Sequence, residues 1–195
     1  MIFILDFDDS FTYNIYSELK LACKSEPIQV VSKENCLNVL STLTETDRKT
    51  LIILGPGPGH PHQYNYLHPT LKKLMSNENV FILGICLGHQ ILGEILGHKI
   101  SHCQEPMHGR AIELELDKTW QKRLGLKEKI TVQRYNSLAV ISDSTTDENL
   151  IAALKKNSEV LIFAGTRLIS YQFHPESVGT KYRDEFFRKP LAFLI

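Results

Sequence analysis

Residues 80–90 read VFILGICLGHQ, an apolar run joined to a helical pattern through a single cysteine. Val80–Ile85 lacks the polar alternation of a half-exposed strand, so this run predicts a strand buried on both faces. Leu87, Ile91 and Ile95 then recur at helical spacing. A buried strand that leads directly into a helix is the repeating unit of a parallel α/β sheet.

The same alternation of strand and helix recurs through the first half of the chain. Three more apolar runs predict buried strands at Ile2–Leu5, Gln29–Val31 and Leu51–Leu54. Between the first two runs, the apolar spacing from Phe11 to Ala22 predicts a helix. Such alternation implies right-handed crossovers, and therefore a mainly parallel central sheet flanked by helices.

The second half of the chain predicts an antiparallel extension of that sheet. Ile112–Leu116 alternates apolar and charged residues strictly, which is typical of a half-exposed antiparallel strand. Further strands are predicted at Lys129–Arg134, Val160–Ala164 and Leu168–Phe173, and a helix is predicted close to the end of the sequence. Because no repeat or low-complexity tract divides the sequence, residues 1–195 are interpreted as one α/β domain.

The composition excludes several classes of function. The 195 residues are 43% hydrophobic and 23% charged, which rules out disorder and coiled coil. Lys+Arg and Asp+Glu both number 22, so no net charge favours nucleic acid or an anionic membrane as a partner. The opening apolar run stops at Asp6, and the uncharged stretch Thr50–Leu71 is interrupted by prolines, so neither a signal peptide nor a membrane helix is expected. The cysteines lack any CxxC spacing, and a cytoplasmic location with reduced thiols is expected.

Cys86 stands between Gly84 and Gly88 at the predicted turn from strand to helix. This G-x-C-x-G pattern is the thiol counterpart of the nucleophile elbow, in which glycines relieve the clashes of a strained turn. The positive end of a helix favours a thiolate, and the first free amide of the helix, that of Leu87, can donate to an oxyanion. The alternative is a buried cysteine in a tight turn, but the pattern favours catalysis.

A base for this nucleophile is available in Gln172–Ser177, which reads QFHPES. Pro175 biases His174 toward an extended conformation, and residues i and i+2 of an extended segment point the same way. Glu176 can therefore accept the second N–H of the imidazole and fix its tautomer, as a triad acid does. Together with Cys86, these residues make a Cys–His–Glu triad the leading hypothesis.

A loop rich in glycine and proline, Gly55–Gly59, follows the predicted strand at Leu51–Leu54. Its backbone can approach a ligand closely because the glycines carry no Cβ. A phosphate-binding loop is the rival interpretation, but no lysine follows and the pattern G-x-x-x-x-G-K-[ST] is absent. His60, His62 and His68 come next without a neighbouring carboxylate or cysteine in that loop, so no metal site is predicted.

Together these motifs resemble the signatures of the class I (triad) glutamine amidotransferases. They stand in the family's order: GPGPG at 55–59, GICLGHQ at 84–90 and FHPES at 173–177. Further motifs are similar to the small subunits of anthranilate synthase and aminodeoxychorismate synthase, which share one sequence family. These are DSFTYN at 9–14, MHG at 107–109 and YNSL at 135–138.

The resemblance implies a flavodoxin-like α/β fold and hydrolysis of L-glutamine without a cofactor. Cys86 would attack the side-chain amide carbon, and His174, oriented by Glu176, would protonate the departing ammonia and then activate water. The amides of Leu87 and Gly57 would hold the oxyanion, and the ammonia would pass to a chorismate-binding synthase large subunit. The matching motifs assign glutamine contacts to six residues: Gly57, Pro58, Gly59, Gln90, Ser137 and Leu138.

Other functions are compatible with these residues: the glutaminase unit of another synthetase, a stand-alone cysteine hydrolase of the same fold, and a flavodoxin-like binding or regulatory module. The residues do not separate the anthranilate pathway from the aminodeoxychorismate pathway. The chain departs from the family pattern at Asn136, where His is frequent, at Arg110, where Lys is usual, and in the bulky segment His62–Tyr66. We expect the bulky segment to affect partner docking more than catalysis. His89, beside the nucleophile, is expected to be structural.

Overall fold

The computed structural model describes residues 1–142 and 151–195. Its strands are β1 (Ile2–Asp6), β2 (Ile28–Ser32), β3 (Thr50–Leu54), β4 (Val80–Ile85), β5 (Lys99–His102), β6 (Arg110–Glu115), β7 (Lys129–Arg134), β8 (Leu138–Ile141), β9 (Ala152–Lys156), β10 (Glu159–Ala164) and β11 (Leu168–Tyr171). Its helices are α1 (Thr12–Ala22), α2 (Cys36–Leu43), α3 (His68–Ser76), α4 (Leu87–Ile95), α5 (Lys118–Leu124) and α6 (Glu185–Ala192), with 3₁₀ turns at Lys33–Asn35 and Pro61–Leu67. Among these described elements, no helix is both long and apolar enough to cross a membrane.

Within the described residues, nine strands form the central sheet in the order β2-β1-β3-β4-β11-β10-β8-β5, and β9 also pairs with β10. The neighbours from β2 to β11 in this order run parallel. The pairs that β10 makes with β11, β9 and β8 are antiparallel, as is the pair of β8 with β5. The predicted α/β fold, with a mainly parallel sheet and an antiparallel extension, is confirmed.

Two details of the second half differ from the sequence expectation. The strand predicted at Leu168–Phe173 ends at Tyr171 and pairs parallel with β4, so it belongs to the parallel part of the sheet. Within the part of the chain that the structure describes, the alternating strand β6 pairs with β7 alone, in a separate two-stranded sheet. The alternation of apolar and charged residues indicates that one face of β6 is buried. It does not specify which strand pairs with β6. The extension is built instead from β10 together with β5, β8 and β9, three short strands that the apolar pattern did not reveal.

The core lies on both faces of the central sheet because successive residues of a strand point to opposite sides. Ile4 of β1 belongs to the same buried cluster as Ile15 of α1 and Phe186 of α6. Its neighbour Leu5 belongs to the other cluster, with Leu71 of α3. Helices therefore cover both faces, which is why the first-half strands are apolar without alternation.

The register of the parallel strands brings their carboxyl ends to one edge. Leu5 pairs with Leu54, Leu54 pairs with Gly84, and Ile85 pairs with Tyr171. Ligands of open α/β sheets bind at this edge. The segments that follow these strands carry the GPGPG loop, the cysteine and the His-Pro-Glu motif, and they therefore meet there.

Candidate active site

The backbone at Cys86 is strained in the way that the G-x-C-x-G pattern predicts. Cys86 has φ 52° and ψ −100°, a region that residues with a side chain rarely occupy. Its N–H donates to Tyr171 O at 2.8 Å, and α4 starts at the next residue. A Cβ at Gly88 would lie 2.1 Å from Leu54 O, and one at Gly84 would lie 2.9 Å from Gly88 O. Both glycines are therefore required by close backbone contacts, which hold the turn and the helix N-terminus in place.

His174 and Glu176 form a buried hydrogen-bonded pair. His174 Nδ1 lies 2.7 Å from Glu176 Oε1, and the two side chains are 3% and 0% exposed. The carboxylate accepts from Nδ1, which leaves Nε2 for the reaction; Nε2 has no hydrogen-bond partner in the described residues. Burial disfavours the imidazolium, but interactions with Cys86 and Glu176 outweigh it and raise the pKa of His174 well above its usual value.

Gln133 of β7 clamps the segment that carries His174. The N–H of His174 donates to Gln133 O at 2.9 Å, and the side-chain oxygen of Gln133 accepts from Gly179 N at 2.9 Å and from the Ser177 hydroxyl. Thr180 Oγ1 donates to His174 O at 2.6 Å. The segment is therefore fixed from both ends, although its residues belong to no helix or strand.

Two aromatic rings pack on the imidazole of His174, and sequence reasoning gave neither of them this role. The ring of Phe11 lies 4.9 Å from that of His174, and the ring of Tyr135 lies 5.1 Å from it, measured between centroids. Phe11 and Tyr135 are themselves 5.1 Å apart. Both residues belong to motifs that the sequence had singled out, 9–14 and 135–138, but no local signal connects either motif to the histidine.

A cavity of about 160 Å³ opens beside Cys86. All six residues that the resemblance assigned to glutamine line it, together with Cys86, Tyr135 and Asn136: Gly57, Pro58, Gly59, Gln90, Ser137 and Leu138. The structure therefore brings together three chain segments that the motifs had linked only by analogy. Polar side chains of its lining include Gln90, Asn136 and Ser137.

Gly57 and Leu87, the two residues expected to supply the amides that hold an oxyanion, lie next to each other. A Cβ built on Gly57 would be 2.7 Å from Leu87 Cδ2 and 2.6 Å from Phe7 Cβ, so no larger residue fits there. Within the described residues, neither the Gly57 N–H nor the Leu87 N–H has a backbone acceptor. Both N–H groups are thus available to donate to a ligand, which an oxyanion site requires.

A buried ion pair supports the far wall of the cavity. Arg134 Nη2 donates to Glu159 Oε2 at 2.8 Å, with both side chains less than 8% exposed. Arg134 Nε also donates to Asn136 Oδ1 at 3.0 Å, and Asn136 Nδ2 donates to Leu138 O at 2.9 Å. Asn136, one of the departures from the family pattern, thus ties the wall of the cavity to the ion pair. Sequence reasoning did not identify Arg134 or Glu159.

His89 has the structural role expected for it. Its ring is fully buried, and its nitrogens lie 2.9 Å from Ser170 Oγ and 3.0 Å from Val160 O. Burial lowers the pKa of His89 to about 3, so the ring is neutral at physiological pH. The neutral ring joins α4 to β10 and β11, and thereby holds the helix of the cysteine against the strand that leads to His174.

The histidines after the GPGPG loop serve local structure. His60 Nδ1 accepts from His62 N at 3.1 Å, and Gln63 Oε1 accepts from His60 N at 3.0 Å, which caps the 3₁₀ turn. Glu94 of α4 comes to 3.8 Å from His68 and 3.9 Å from His62. Among residues 1–142 and 151–195, no three His, Cys, Asp or Glu side chains are arranged to hold a metal ion.

An α/β sheet that places a cysteine elbow next to a buried His–Glu pair is typical of amidohydrolases of the cysteine type. The chain belongs to the family described as glutamine amidotransferase class-I, whose model matches residues 3–192.

Curated relatives span nearly the whole chain. Anthranilate synthase component 2 of Helicobacter pylori strain 26695 is 32% identical over 194 residues, which cover 99% of this chain and 97% of that protein. A probable chloroplastic aminodeoxychorismate synthase of rice is 32% identical over 164 residues, 82% of this chain and 18% of that longer protein. Among solved structures, a putative GMP synthase protein of Thermoplasma acidophilum has the same fold, with a TM-score of 0.76 at 21% identity over 99% of this chain and 92% of that one.

Proposed function

We propose that the chain is the glutaminase subunit of a chorismate-using synthase. Residues 1–195 form one domain, which acts in the cytoplasm. It hydrolyses L-glutamine to glutamate and delivers ammonia to a chorismate-binding large subunit that makes anthranilate or 4-amino-4-deoxychorismate. The observation that carries this proposal is that the strained Cys86 lines a small cavity and interacts with His174 of the buried His174–Glu176 pair. The names of the curated relatives support the choice of partner.

The first half-reaction releases ammonia. The Cys86 thiolate attacks the side-chain amide carbon of glutamine, and the developing oxyanion accepts hydrogen bonds from the N–H groups of Leu87 and Gly57. The His174 imidazolium, which its neighbours favour, gives the Nε2 proton to the leaving nitrogen. The C–N bond breaks, ammonia departs and a thioester remains on Cys86.

The second half-reaction frees the enzyme. His174, now neutral, removes a proton from a water molecule that attacks the thioester carbon, and the same two amides hold the second oxyanion. The C–S bond breaks, glutamate leaves, and the thiolate–imidazolium pair is restored. Glu176 keeps Nδ1 protonated throughout, so that Nε2 is always the nitrogen that exchanges protons.

The experiment that tests this function mixes the chain with glutamine, chorismate and each candidate large subunit in turn. We expect glutamate to form together with anthranilate, 4-amino-4-deoxychorismate or both, depending on the large subunit, because the partner sets the position of the amino group. Matched reactions that replace glutamine with ammonium salt measure the synthesis that the large subunit performs by itself. If glutamine is hydrolysed but no chorismate-binding subunit forms an aminated product, the proposal of a chorismate-binding partner is wrong. If glutamine is not hydrolysed at all, the proposed glutaminase activity is wrong.

We also expect the partner to accelerate glutamine hydrolysis by about a hundred- to a thousandfold, which is the usual effect of one oxyanion donor. The Gly57 donor lies on a loop, and the loop contacts the bulky segment His62–Tyr66: a Cβ at Gly59 would meet Gln63 Oε1 at 2.3 Å. Tyr66 is 48% exposed and lines a second cavity with Pro58 and Gly59. We expect the partner to contact Tyr66 and to bind the loop more tightly when the Gly57 N–H points at the oxyanion than when it points away. Such a partner shifts the loop toward the conformation with the donor in place.

Steady-state glutaminase kinetics, with and without saturating chorismate and large subunit, measure this activation. Tyr66→Ala is expected to reduce the activation while the basal rate stays unchanged, and the similarly exposed Tyr13→Ala serves as its control. A turnover number that is already maximal for the chain by itself would show that the loop needs no partner.

A further inference from the structure

Gln172 is a buried polar side chain beside the nucleophile to which the mechanism gives no role. It follows β11 directly, it is 0% exposed, and its N–H donates to Leu161 O at 2.9 Å. Its side-chain Nε2 lies 4.0 Å from Cys86 Sγ, and its Oε1 lies 3.2 Å from Gln90 Nε2. The buried Gln172 amide lies between Cys86, the proposed nucleophile, and Gln90, a proposed glutamine contact. It can therefore act on both residues.

The hydrogen-bond network leaves one orientation for each of the two amides. Leu138 O can only accept, and it lies 2.9 Å from the Gln90 amide, so the Gln90 atom that faces it is the nitrogen. The same Gln90 nitrogen also donates toward Gln172, so Gln172 presents its oxygen there. The nitrogen of Gln172 then faces Cys86. Donors and acceptors are thus aligned in one chain from the sulfur to the wall of the cavity.

Both N–H bonds of the Gln90 amide are used within this chain. One donates to Leu138 O and the other to Gln172 Oε1. The oxygen of Gln90 is then the atom left to accept a hydrogen bond from a ligand in the cavity that Gln90 lines. If the partner oxygen of Gln172 were absent, Leu138 O alone would hold the Gln90 amide, which would then be fixed less firmly.

We propose that Gln172 is a positioning residue of the glutaminase. Its N–H donates to the Cys86 sulfur, and its oxygen acts together with Leu138 O to hold the Gln90 amide with its acceptor toward glutamine. The inference rests on the proposed function and adds one residue to it. A donor aimed at sulfur favours the thiolate over the thiol, because the thiolate is the stronger acceptor. Since Gln172 is neutral, it can do this without competing with the imidazolium of His174.

The test compares Gln172→Met, which removes donor and acceptor at similar volume, with Gln172→Glu, which keeps the shape and replaces the donor by an oxygen. Gln121→Met is the matched control, since Gln121 is partly buried, hydrogen-bonded to Leu116 O, and belongs to α5 away from the cavity. Far-ultraviolet circular dichroism and thermal melting verify that each variant folds. If Gln172→Met fails to fold, Gln172→Glu decides the question.

The first readout is the rate of Cys86 alkylation by iodoacetamide against pH, followed by peptide mapping. Cys36 and Cys103 are slow internal references, because burial raises the pKa of Cys36 to about 12 and also raises the pKa of Cys103. We expect both Gln172 variants to move the Cys86 profile to higher pH and to lower its rate near neutrality about tenfold, the value of one hydrogen bond. This readout needs no glutamine, so it stands even if the proposed reaction fails.

The second readout is the split between KM and kcat for glutamine. Gln172→Met removes the oxygen that helps to fix Gln90 and is expected to raise KM about tenfold, whereas Gln172→Glu keeps that oxygen. Both variants lose the sulfur donor and are expected to lower kcat about tenfold. A purely structural role would leave the alkylation profile unmoved in the folded variants. An unchanged profile, or kinetics equal to those of the Gln121 control, would overturn the proposal.

Discussion

Replacing Cys86 with serine is expected to lower glutamine hydrolysis by at least about 10⁴-fold, since loss of a triad nucleophile commonly costs about six orders of magnitude. In the proposed mechanism the thiolate at the helix N-terminus forms the thioester, and a serine hydroxyl at the same strained position is a far weaker nucleophile at neutral pH. With the large subunit present, glutamine-dependent synthesis should disappear. Synthesis driven by ammonium salt should persist, because that chemistry takes place on the other subunit.

The same substitution at Cys103 is the matched control. Cys103 is also buried, and its thiol donates to Ser137 O at 3.2 Å, so Cys103→Ser keeps a donor at that place without touching the elbow. Glutamate release is measured for both variants by a coupled dehydrogenase assay. Without its nucleophile the enzyme should retain far less than about a hundredth of the normal rate of glutamine hydrolysis. If the Cys86 variant retained more than that, Cys86 could not be the attacking group.

Glu176→Gln is expected to lower kcat by about a thousandfold or more, because an amide of the same shape can hold His174 in the wrong tautomer. The carboxylate accepts from His174 Nδ1 at 2.7 Å in a fully buried place, so no water substitutes for it. The variant also loses one of the two interactions that raise the pKa of His174. The imidazolium then loses its proton at a lower pH, and the basic limb of the rate profile should move toward lower pH.

Rate profiles of kcat against pH for Glu176→Gln and for the exposed Glu113→Gln separate this effect from a general change of charge. Glu113 lies on β6 and contributes the same formal charge to the chain. We expect its variant to match the unmodified enzyme. Loss of a triad member typically lowers kcat by orders of magnitude. If the Glu176 variant lost less than about threefold in kcat, the carboxylate would only pack behind the His174 ring.

Much of the fold and of the catalytic hypothesis could be predicted because the signals are local. Buried strands at β1, β3 and β4 follow from apolar runs without alternation, and the structure places them in the parallel part of the sheet. The strained conformation of Cys86 follows from the two glycines around it, which lie within two residues. The approach of Glu176 to His174 was predicted correctly, but the extended geometry assumed for it was wrong. The chain turns at Pro175 and Glu176, and the N–H of Ser177 donates to His174 O at 3.3 Å.

The sequence by itself therefore determined the alternation of strand and helix, the cysteine elbow and the His–Glu pair, each of which depends on neighbours within a few residues. The tertiary structure decided what surrounds them: Phe11 and Tyr135 on the imidazole, Gln172 against the sulfur, and the short strands that extend the sheet. Gln172 and Cys86 are separated by 86 residues, and nothing in either segment specifies the other. Such contacts are set by the register in which β4 and β11 pair, and register depends on the packing of the whole sheet.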